Sequence, residues 1–243
     1  MSLPTFYINP SGIAEGSAIL DGDELRHART TLRLKPDDKA RIVDGEGTLY
    51  EARFRTMGKD EAVLDIVSST KEPAPAFSLT VAMGVVQGDR FDWALQKGTE
   101  LGVTRFIPLL TERTDIRPGA QWKRLPRLKR VIASACKQCG RAQFPSITEP
   151  TAIENLGVSY YDRAVLFWEE EGRSLALDAS DVKRPGSCLM IIGPVGGLTA
   201  SEAEMLKGKG AIAAGLGPRV LRTETAVTAG VTLLQYLWGD LGS

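Results

Sequence analysis

The sequence feature that most restricts the fold is an alternation of short apolar strands with helices after residue 78. Apolar, β-branched segments predict strands at residues 79–86, 105–110, 164–168, 188–192 and 211–214. Helical patterns between and after them cover residues 90–101, ended by Gly102, and residues 126–140, 199–206 and 224–237. Strands that alternate with helices in this way predict a mostly parallel α/β sheet.

The first 72 residues have a different pattern. Short strands are predicted at residues 6–8, 40–43, 48–55 and 62–67, with one short helix at residues 24–32. Closely spaced strands and turns favour a small barrel or sandwich. Pro73 and Pro75 lie in an extended linker, because proline cannot continue a helix across it. We therefore predict two domains, residues 1–72 and residues 73–243.

Composition excludes several classes of protein. Thirty Lys and Arg residues balance 30 Asp and Glu residues among 243, so the overall charge indicates no partner. No apolar run approaches the roughly 20 residues of a membrane span, and the N-terminus does not read as a signal peptide. Three cysteines and a single histidine, His27, argue against a disulfide scaffold, a zinc site or a Ser-His-Asp triad. We expect a cytoplasmic protein with no metal and no membrane.

A glycine-rich turn follows the apolar segment 188–192. Residues 193–198 read GPVGGL, and Thr199 with Glu202 forms a capping box that starts the next helix. Glycines at a strand end let a ligand approach the backbone, and a helix start offers free N–H donors. The same pattern also fits a tight turn without a ligand. It matches neither a P-loop nor a dinucleotide fingerprint, which disfavours a nucleotide-dependent enzyme such as a dehydrogenase.

A second glycine-rich turn lies before the last helix. Residues 215–225 read GLGPRVLRTET, and Thr223 is predicted to be the N-cap. This segment could be a solvated loop with a charged cap. However, open α/β sheets bind ligands at strand ends, so two such turns at neighbouring strand ends favour a binding site.

The predicted helix at residues 126–140 is basic on one side. Arg127, Arg130 and Arg141 lie on the outer face, and no acidic residue interrupts the run. A run of one sign favours contact with a polyanion over a merely solvated face. Cys136 and Cys139 lie on the apolar stripe and are interpreted as buried small hydrophobic residues, not as metal ligands.

Taken together, the chain resembles the RsmE-type small-subunit ribosomal RNA uridine-N3 methyltransferases of the SPOUT class. The matching segments, in chain order, are 27–34, LQKGTELGV at 95–103, PLLTER at 108–113, QCGR at 138–141, the first glycine turn, and LGPRVLRTET at 216–225. The resemblance implies a PUA-like β-barrel that binds RNA, followed by an α/β SPOUT domain whose C-terminal part, about residues 188–238, forms a trefoil knot. It further implies a homodimer, S-adenosylmethionine as the cofactor, and a uridine of 16S rRNA in the small ribosomal subunit as the target.

Site residues follow from this resemblance and from the chemistry of methyl transfer. Those expected to bind the cofactor are Leu166, Gly193, Pro194, Gly196, Gly197, Leu216, Gly217, Leu221 and Thr223. Those expected to contact RNA are His27, Arg29, Arg33, Arg113, Arg127, Arg130 and Gln138. Uridine N3 must lose a proton, so Glu224 is the candidate acceptor, and Arg222 and Arg141 are candidate stabilisers of the uracil oxygens.

Two positions depart from the family pattern. Val195 and Lys137 stand where the family usually has glutamate. Both changes remove a carboxylate, so an RNA-binding or ribosome-assembly factor that has lost catalysis is the alternative hypothesis. The last predicted helix is apolar around much of its circumference, which favours burial against a second subunit.

Overall fold

The computed structural model describes residues 3–114, 122–170 and 184–242. The chain divides into two compact units. The first comprises Met1–Ala74 with Ala133–Phe144, and the second comprises Pro75–Ile132 with Pro145–Ser243. The predicted boundary between residues 72 and 73 stays a prediction.

A six-stranded sheet forms the first unit, in the order β1-β4-β5-β6-β3-β2. Its strands are β1 Thr5–Tyr7, β2 Ile13–Ala14, β3 Ser17–Asp21, β4 Lys39–Val43, β5 Thr48–Met57 and β6 Glu61–Lys71. All neighbours are antiparallel except β1 and β4. Phe6, Phe54 and Leu64 are fully buried between them and form the centre of its apolar core.

The predicted helix at residues 24–32 is broken in two. Helix α1 spans Gly22–Arg26, and a π-helical turn continues over His27–Thr31. Strand β3 was not predicted, because its five residues alternate between buried and exposed positions over too short a span to give a recognisable strand pattern. Arg33, just after the turn, has a φ of 55°, a left-handed conformation uncommon for a residue with a side chain.

Residues 133–144 are fixed to the first unit by carboxylates. Both oxygens of Glu72 accept hydrogen bonds from the backbone N–H of Ala142, at 3.0 Å. Lys137 forms an ion pair with Glu24, and each side chain is about one quarter exposed. The lysine that departs from the family pattern therefore has a carboxylate partner within this unit.

A parallel sheet forms the second unit, as predicted. Its main strands are ordered β10-β8-β7-β12-β11-β13, and β9 pairs with β8. Their bounds are β7 Ser78–Gly84, β8 Arg105–Leu110, β9 Ser146–Ile147, β10 Thr151–Ala152, β11 Arg163–Phe167, β12 Ser187–Ile192 and β13 Ile212–Ala214. Every pair of neighbours is parallel. The five predicted strands of this unit correspond to β7, β8, β11, β12 and β13, whereas the two-residue strands β9 and β10 were not predicted.

The described part of the chain has four further α-helices: α2 Asp89–Glu100, α3 Leu125–Cys139, α4 Ala200–Gly208 and α5 Thr223–Trp238. Helix α4 covers part of the sheet through Ala203 and Leu206, which pack with Leu166 and Leu189. Helix α5 packs on α2, β7 and β12. No helix in the described part of the chain is long and apolar enough to cross a membrane.

The order of the strands corrects one expectation. The two glycine-rich turns follow β12 and β13, and these strands are not neighbours, because β11 lies between them. Phe167, the last residue of β11, pairs with Ile192 on one side and with Ala214 on the other. The end of β11 therefore lies between the two turns.

Candidate functional site

A cavity of about 290 Å³ opens where these three parallel strands end. Its lining comes from the ends of β11, β12 and β13, from α2 and from the start of α5. The lining residues are Arg90, Phe167, Trp168, Glu169, Ile192, Gly193, Pro194, Val195, Gly197, Leu216, Gly217, Arg219, Val220, Leu221, Arg222, Thr223 and Ala226. Carboxyl ends of parallel strands are the usual ligand-binding edge of such sheets, so this cavity is the candidate site.

The first glycine turn is held by one carboxylate. The predicted capping box is confirmed: Thr199 accepts from the backbone N–H of Glu202, and the Glu202 side chain accepts from the backbone N–H of Thr199 at 2.9 Å. The second oxygen of Glu202 accepts from the backbone N–H of Glu112 at 2.8 Å. Glu202 is buried, so it joins the start of α4 to the loop after β8 at a fixed distance.

Arg113 holds the same turn from its outer side. Its Nη1 donates to the carbonyl oxygen of Gly196 at 2.6 Å. Arg113 was predicted to contact RNA, and Gly196 was predicted to bind the cofactor. In the structure the two residues bond to each other, and Gly196 is not part of the cavity lining. Gly197 lines the cavity with a φ of 71°, which favours glycine there.

The second glycine turn ends in a different cap from the one predicted. Thr223 is the first residue of α5, and Arg222 is its N-cap, with no hydrogen bond from the cap side chain. The Thr223 hydroxyl instead donates to the carbonyl oxygen of Gly193 at 3.3 Å. The prediction of Thr223 as N-cap was therefore wrong, because its hydroxyl bonds the other glycine turn.

Charged side chains of both signs line the cavity. Arg90, Arg219 and Arg222 supply positive charge and Glu169 supplies a carboxylate, whereas Glu224, the predicted proton acceptor, is not part of the lining. Glu224 lies in the first turn of α5 with its side chain 14% exposed and Oε1 3.9 Å from Nε of Arg90. Its Oε2 is buried and has no hydrogen-bond partner among the described residues. A helix start and an arginine both favour a carboxylate at this position.

Several lining residues were missed by sequence reasoning. Trp168 is the last residue of a predicted strand and Glu169 directly follows it, but no glycine-rich turn marked that strand end as a site. Arg90 is the second residue of α2 and was read only as part of a helical pattern. These residues share a position at or near the carboxyl end of a parallel strand, which is the signal that could have identified them. The place of β11 within the sheet, however, cannot be predicted from sequence periodicity.

The other predicted site residues lie in different surroundings. Leu166 is fully buried within β11 and is not part of the cavity lining. Gln138 and Arg141 belong to the first unit. Their assignments to RNA binding and catalysis stay predictions.

On the first unit, the predicted RNA-contacting residues His27, Arg29 and Arg33 are exposed. Arg29 lines a groove of about 520 Å³ together with Arg26 and Lys59. Its Nη1 donates to the carbonyl oxygen of Lys59 at 2.9 Å. The three cationic side chains outnumber the one carboxylate of the groove, that of Asp60, and this balance favours contact with an anionic ligand.

The basic helix α3 presents two different arginines. Arg127 is engaged by carboxylates, with Nη2 2.6 Å from Asp92 and 3.1 Å from Asp89. Arg130 is exposed and has no ion pair within the described residues. The negative charge on α2 therefore offsets part of the basic run.

The three cysteines differ in their surroundings. Burial raises the pKa of Cys136 to about 12, and burial also raises the pKa of Cys188 to about 12. Cys139 is exposed, so its predicted burial was wrong, whereas that of Cys136 was correct. No group of three or more metal-ligating side chains occurs within residues 3–114, 122–170 and 184–242.

The fold and the site match known protein families. The family described as RNA methyltransferase domain matches residues 72–235, and the RNA methyltransferase PUA domain matches residues 20–67. The class defined by the fold and the site is therefore that of RNA methyltransferases with a PUA-like sheet and a parallel SPOUT-type α/β domain. This confirms the PUA-like and SPOUT-type α/β parts of the predicted fold class and the predicted class of enzyme. The trefoil knot stays a prediction.

Individual relatives show which family of RNA methyltransferases the chain resembles in sequence and structure. The ribosomal RNA small subunit methyltransferase E of Bacillus subtilis is 27% identical over 227 residues, covering 89% of each chain. The crystal structure of that enzyme from Neisseria gonorrhoeae, bound to S-adenosylmethionine, is 31% identical with a TM-score of 0.85, covering 99% of this chain and 100% of that one. A Legionella pneumophila methyltransferase with bound cofactor SAM is 26% identical with a TM-score of 0.89, over 99% and 100% of the chains. The chain belongs to the family of ribosomal RNA small subunit methyltransferase E.

Proposed function

We propose that the protein transfers a methyl group from S-adenosylmethionine to N3 of a uridine in small-subunit (16S) ribosomal RNA. The observation that carries this proposal is the cavity at the ends of β11, β12 and β13, built on a fold whose relatives were solved with that cofactor. The predicted trefoil knot over residues 188–238 is part of the same proposal.

The cavity fits the cofactor in size and chemistry. About 290 Å³ is close to the lower end of typical small-molecule sites, near 300 Å³. Of the predicted cofactor residues, Gly193, Pro194, Gly197 and the second-turn residues line it, the latter being Leu216, Gly217, Leu221 and Thr223. Glycine at these turns lets an adenosyl group lie against the backbone, where N–H and C=O groups can pair with its ring. The bound cofactor supplies a methyl group on a sulfonium, which leaves as the neutral thioether.

The chain must then manage one proton. As N3 of uridine gains the methyl group it loses its proton. Glu224 is the proposed acceptor, because its buried Oε2 has no hydrogen-bond partner among the described residues and it directly follows Arg222 and Thr223, which line the cavity. Arg222 lines the cavity and can stabilise negative charge on the uracil oxygens. Arg90 faces Glu224 and orients its carboxylate. The target base must leave its stack to reach this position.

RNA binding is assigned to both units separately. The groove with Arg26, Arg29 and Lys59 on the first unit, and Arg130 on α3, present positive charge that can contact phosphates. The target in this proposal is the small ribosomal subunit, within the cytoplasm.

A homodimer built through the second unit completes the proposal. Helix α5 buries one side on its own sheet and leaves Leu233 41% and Tyr236 65% exposed. Trp93 of α2, the helix that packs on α5, is 42% exposed. Large apolar side chains of this kind favour cover by a second copy. Light scattering at micromolar concentration tests it: a mass near twice 26.3 kDa supports the dimer, and a mass near 26.3 kDa contradicts it.

The function is tested by mass mapping of small-subunit rRNA. A strain lacking the gene should lose one methyl group from a uridine, and the purified protein with S-adenosylmethionine should restore it on small subunits from that strain. Glu224→Gln should fail to restore the methyl group while still binding the cofactor. If rRNA from the deletion strain keeps every methylated uridine, the proposed function is wrong.

The second candidate is an RNA-binding or assembly factor without catalysis. Val195 motivates it, because it is 68% exposed at the cavity where the family usually has glutamate. Titration with S-adenosylmethionine separates the two functions. Micromolar binding supports the enzyme, whereas intact RNA binding with no cofactor binding supports the factor.

A further inference from the structure

Glu169 is the carboxylate among the residues that line the cavity. It follows the last residue of β11 by two positions, and β11 lies between the strands that carry the two glycine turns. The parallel register pairs Phe167 with Ile192, so the residues after β11 run beside the first glycine turn. Neither the resemblance nor the motifs pointed to this carboxylate.

The backbone of the first glycine turn leaves space for the Glu169 carboxylate. A Cβ atom built on Gly197 would lie 2.1 Å from Oε1 of Glu169, closer than such atoms come in proteins. Among the described residues, none donates a hydrogen bond or forms an ion pair with this carboxylate. The neighbouring indole Nε1 of Trp168 is also buried without a partner there. The carboxylate therefore faces the cavity with free acceptor atoms.

The chemistry of the site selects one part of the ligand. In doubly wound sheets, a carboxylate after the strand next to a glycine-turn strand accepts hydrogen bonds from ribose hydroxyl groups. Strands β11 and β12 have this arrangement. Among the arginines that line the cavity, Arg219 has no role in the proposed reaction and can attract the carboxylate of an amino-acid group. This leaves the nucleoside end of the ligand for Glu169.

We propose that Glu169 binds the ribose 2′- and 3′-hydroxyl groups of the cofactor. This inference rests on the proposed function, because it names the ligand contact of the same cavity. Glu169 is thus a binding residue, and Gly197 must be glycine because any side chain would displace that carboxylate.

Calorimetry with three ligands tests the contact on the full-length protein. The ligands are S-adenosylhomocysteine, 5′-methylthioadenosine, which lacks the amino-acid group, and 2′-deoxy-5′-methylthioadenosine, which also lacks one hydroxyl. Glu169→Gln should weaken the first two by a similar factor of about ten, the typical effect of losing a charged hydrogen-bond partner. The same substitution should change binding of the deoxy ligand by much less.

Glu170→Gln is the matched control, since Glu170 is the next residue, is exposed and does not line the cavity. It should bind all three ligands as the wild type does. Loss of S-adenosylhomocysteine binding alone would mean that Glu169 contacts the ammonium group, which overturns the proposal. An equal loss for the deoxy ligand, or no loss for any ligand, would overturn it as well.

The two proposals fail in different ways. If the wild-type protein binds none of the three ligands, the proposed function fails. If the wild type binds them and Glu169→Gln binds them equally well, only the role of Glu169 fails. A melting temperature of Glu169→Gln equal to that of the wild type excludes a general folding defect as the cause of any loss.

Discussion

The hydroxyl group of Thr223 donates a hydrogen bond to the carbonyl oxygen of Gly193 at 3.3 Å, and thereby joins the two glycine-rich turns of the cavity. Thr223 is buried. The bond connects the start of α5 to the end of β12, two elements separated by 30 residues in the chain. This side chain therefore adds a direct link between the two turns to the pairing of β11 with both of their strands.

Thr223→Val should weaken both stability and cofactor binding. The substitution keeps the shape of the side chain but leaves the Gly193 carbonyl without its donor, which costs about 1 kcal/mol. Urea unfolding measures the first effect, and calorimetry with S-adenosylhomocysteine measures the second. Thr223→Ser keeps the hydroxyl and should retain most of both. Equal loss in the serine variant would mean that the methyl group, not the hydrogen bond, matters.

Gly217→Val should block the cavity. Gly217 lines it with a φ of 92°, and a Cβ there would meet nothing within 4 Å, so the added side chain occupies ligand space. The backbone strain of a side chain at this φ also occurs at Gly210, which has a φ of 101°, open surroundings and no place in the lining. Gly210→Val should therefore lose similar stability but bind S-adenosylhomocysteine normally. If both variants bind alike, the cavity is not the cofactor site.

Salt dependence should distinguish the two arginines of α3. Each lost phosphate contact reduces the slope of log K against log salt by roughly 0.7–0.9. Arg130→Ala should show a reduction of this size in binding to small-subunit rRNA. Arg127→Ala should show a smaller one, because Asp89 and Asp92 already offset its charge. An unchanged slope for Arg130→Ala would mean that this helix face is only solvated.

Asp44 should make the first unit sensitive to acid. Burial acts to raise its pKa, but hydrogen bonds from Thr48 and from the backbone N–H of Glu46 outweigh burial and hold the pKa below its usual 3.8. A carboxyl whose pKa is lower in the folded state stabilises the fold above the unfolded pKa, and this stabilisation is lost as pH falls through the folded value.

Asp44→Asn should therefore lose about 1 kcal/mol of stability at pH 7, and the difference from the wild type should shrink as pH falls below 4. Urea unfolding at a series of pH values measures it. Asp60→Asn, which replaces an exposed carboxylate, is the control and should leave the free energy of unfolding unchanged across the series. A constant difference for Asp44→Asn across the series would contradict the role of the charge.

Most elements of the fold could be predicted from the sequence. The strands of the parallel sheet are nearly continuous apolar runs, and the capping box of Thr199 and Glu202 marks a helix start by chemistry alone. Local signals of this kind depend on neighbours within a few residues. They located β12 and α4 correctly because nothing distant overrides them.

Site geometry was only partly accessible from the sequence. The two glycine-rich turns could be recognised in the sequence from their composition. The position of β11 between them could not, because it depends on which strands pair, and strand pairing is set by packing across the whole sheet. Glu169 and Arg90 were missed for that reason. Thr223 was misassigned because its hydroxyl has two uses, capping its own helix or bonding a distant carbonyl, and the sequence cannot rank them.

The two ends of the parallel sheet have a consequence for assembly. The outer strands in the described part of the chain are β10, with two residues, and β13, with three. Strands this short offer too few free backbone groups to recruit a strand from another molecule. The short edges thereby disfavour growth of the sheet from one copy into the next, and they favour association of copies through the side chains of helices and loops. Such contacts can be lost or gained by single substitutions without any change in the sheet.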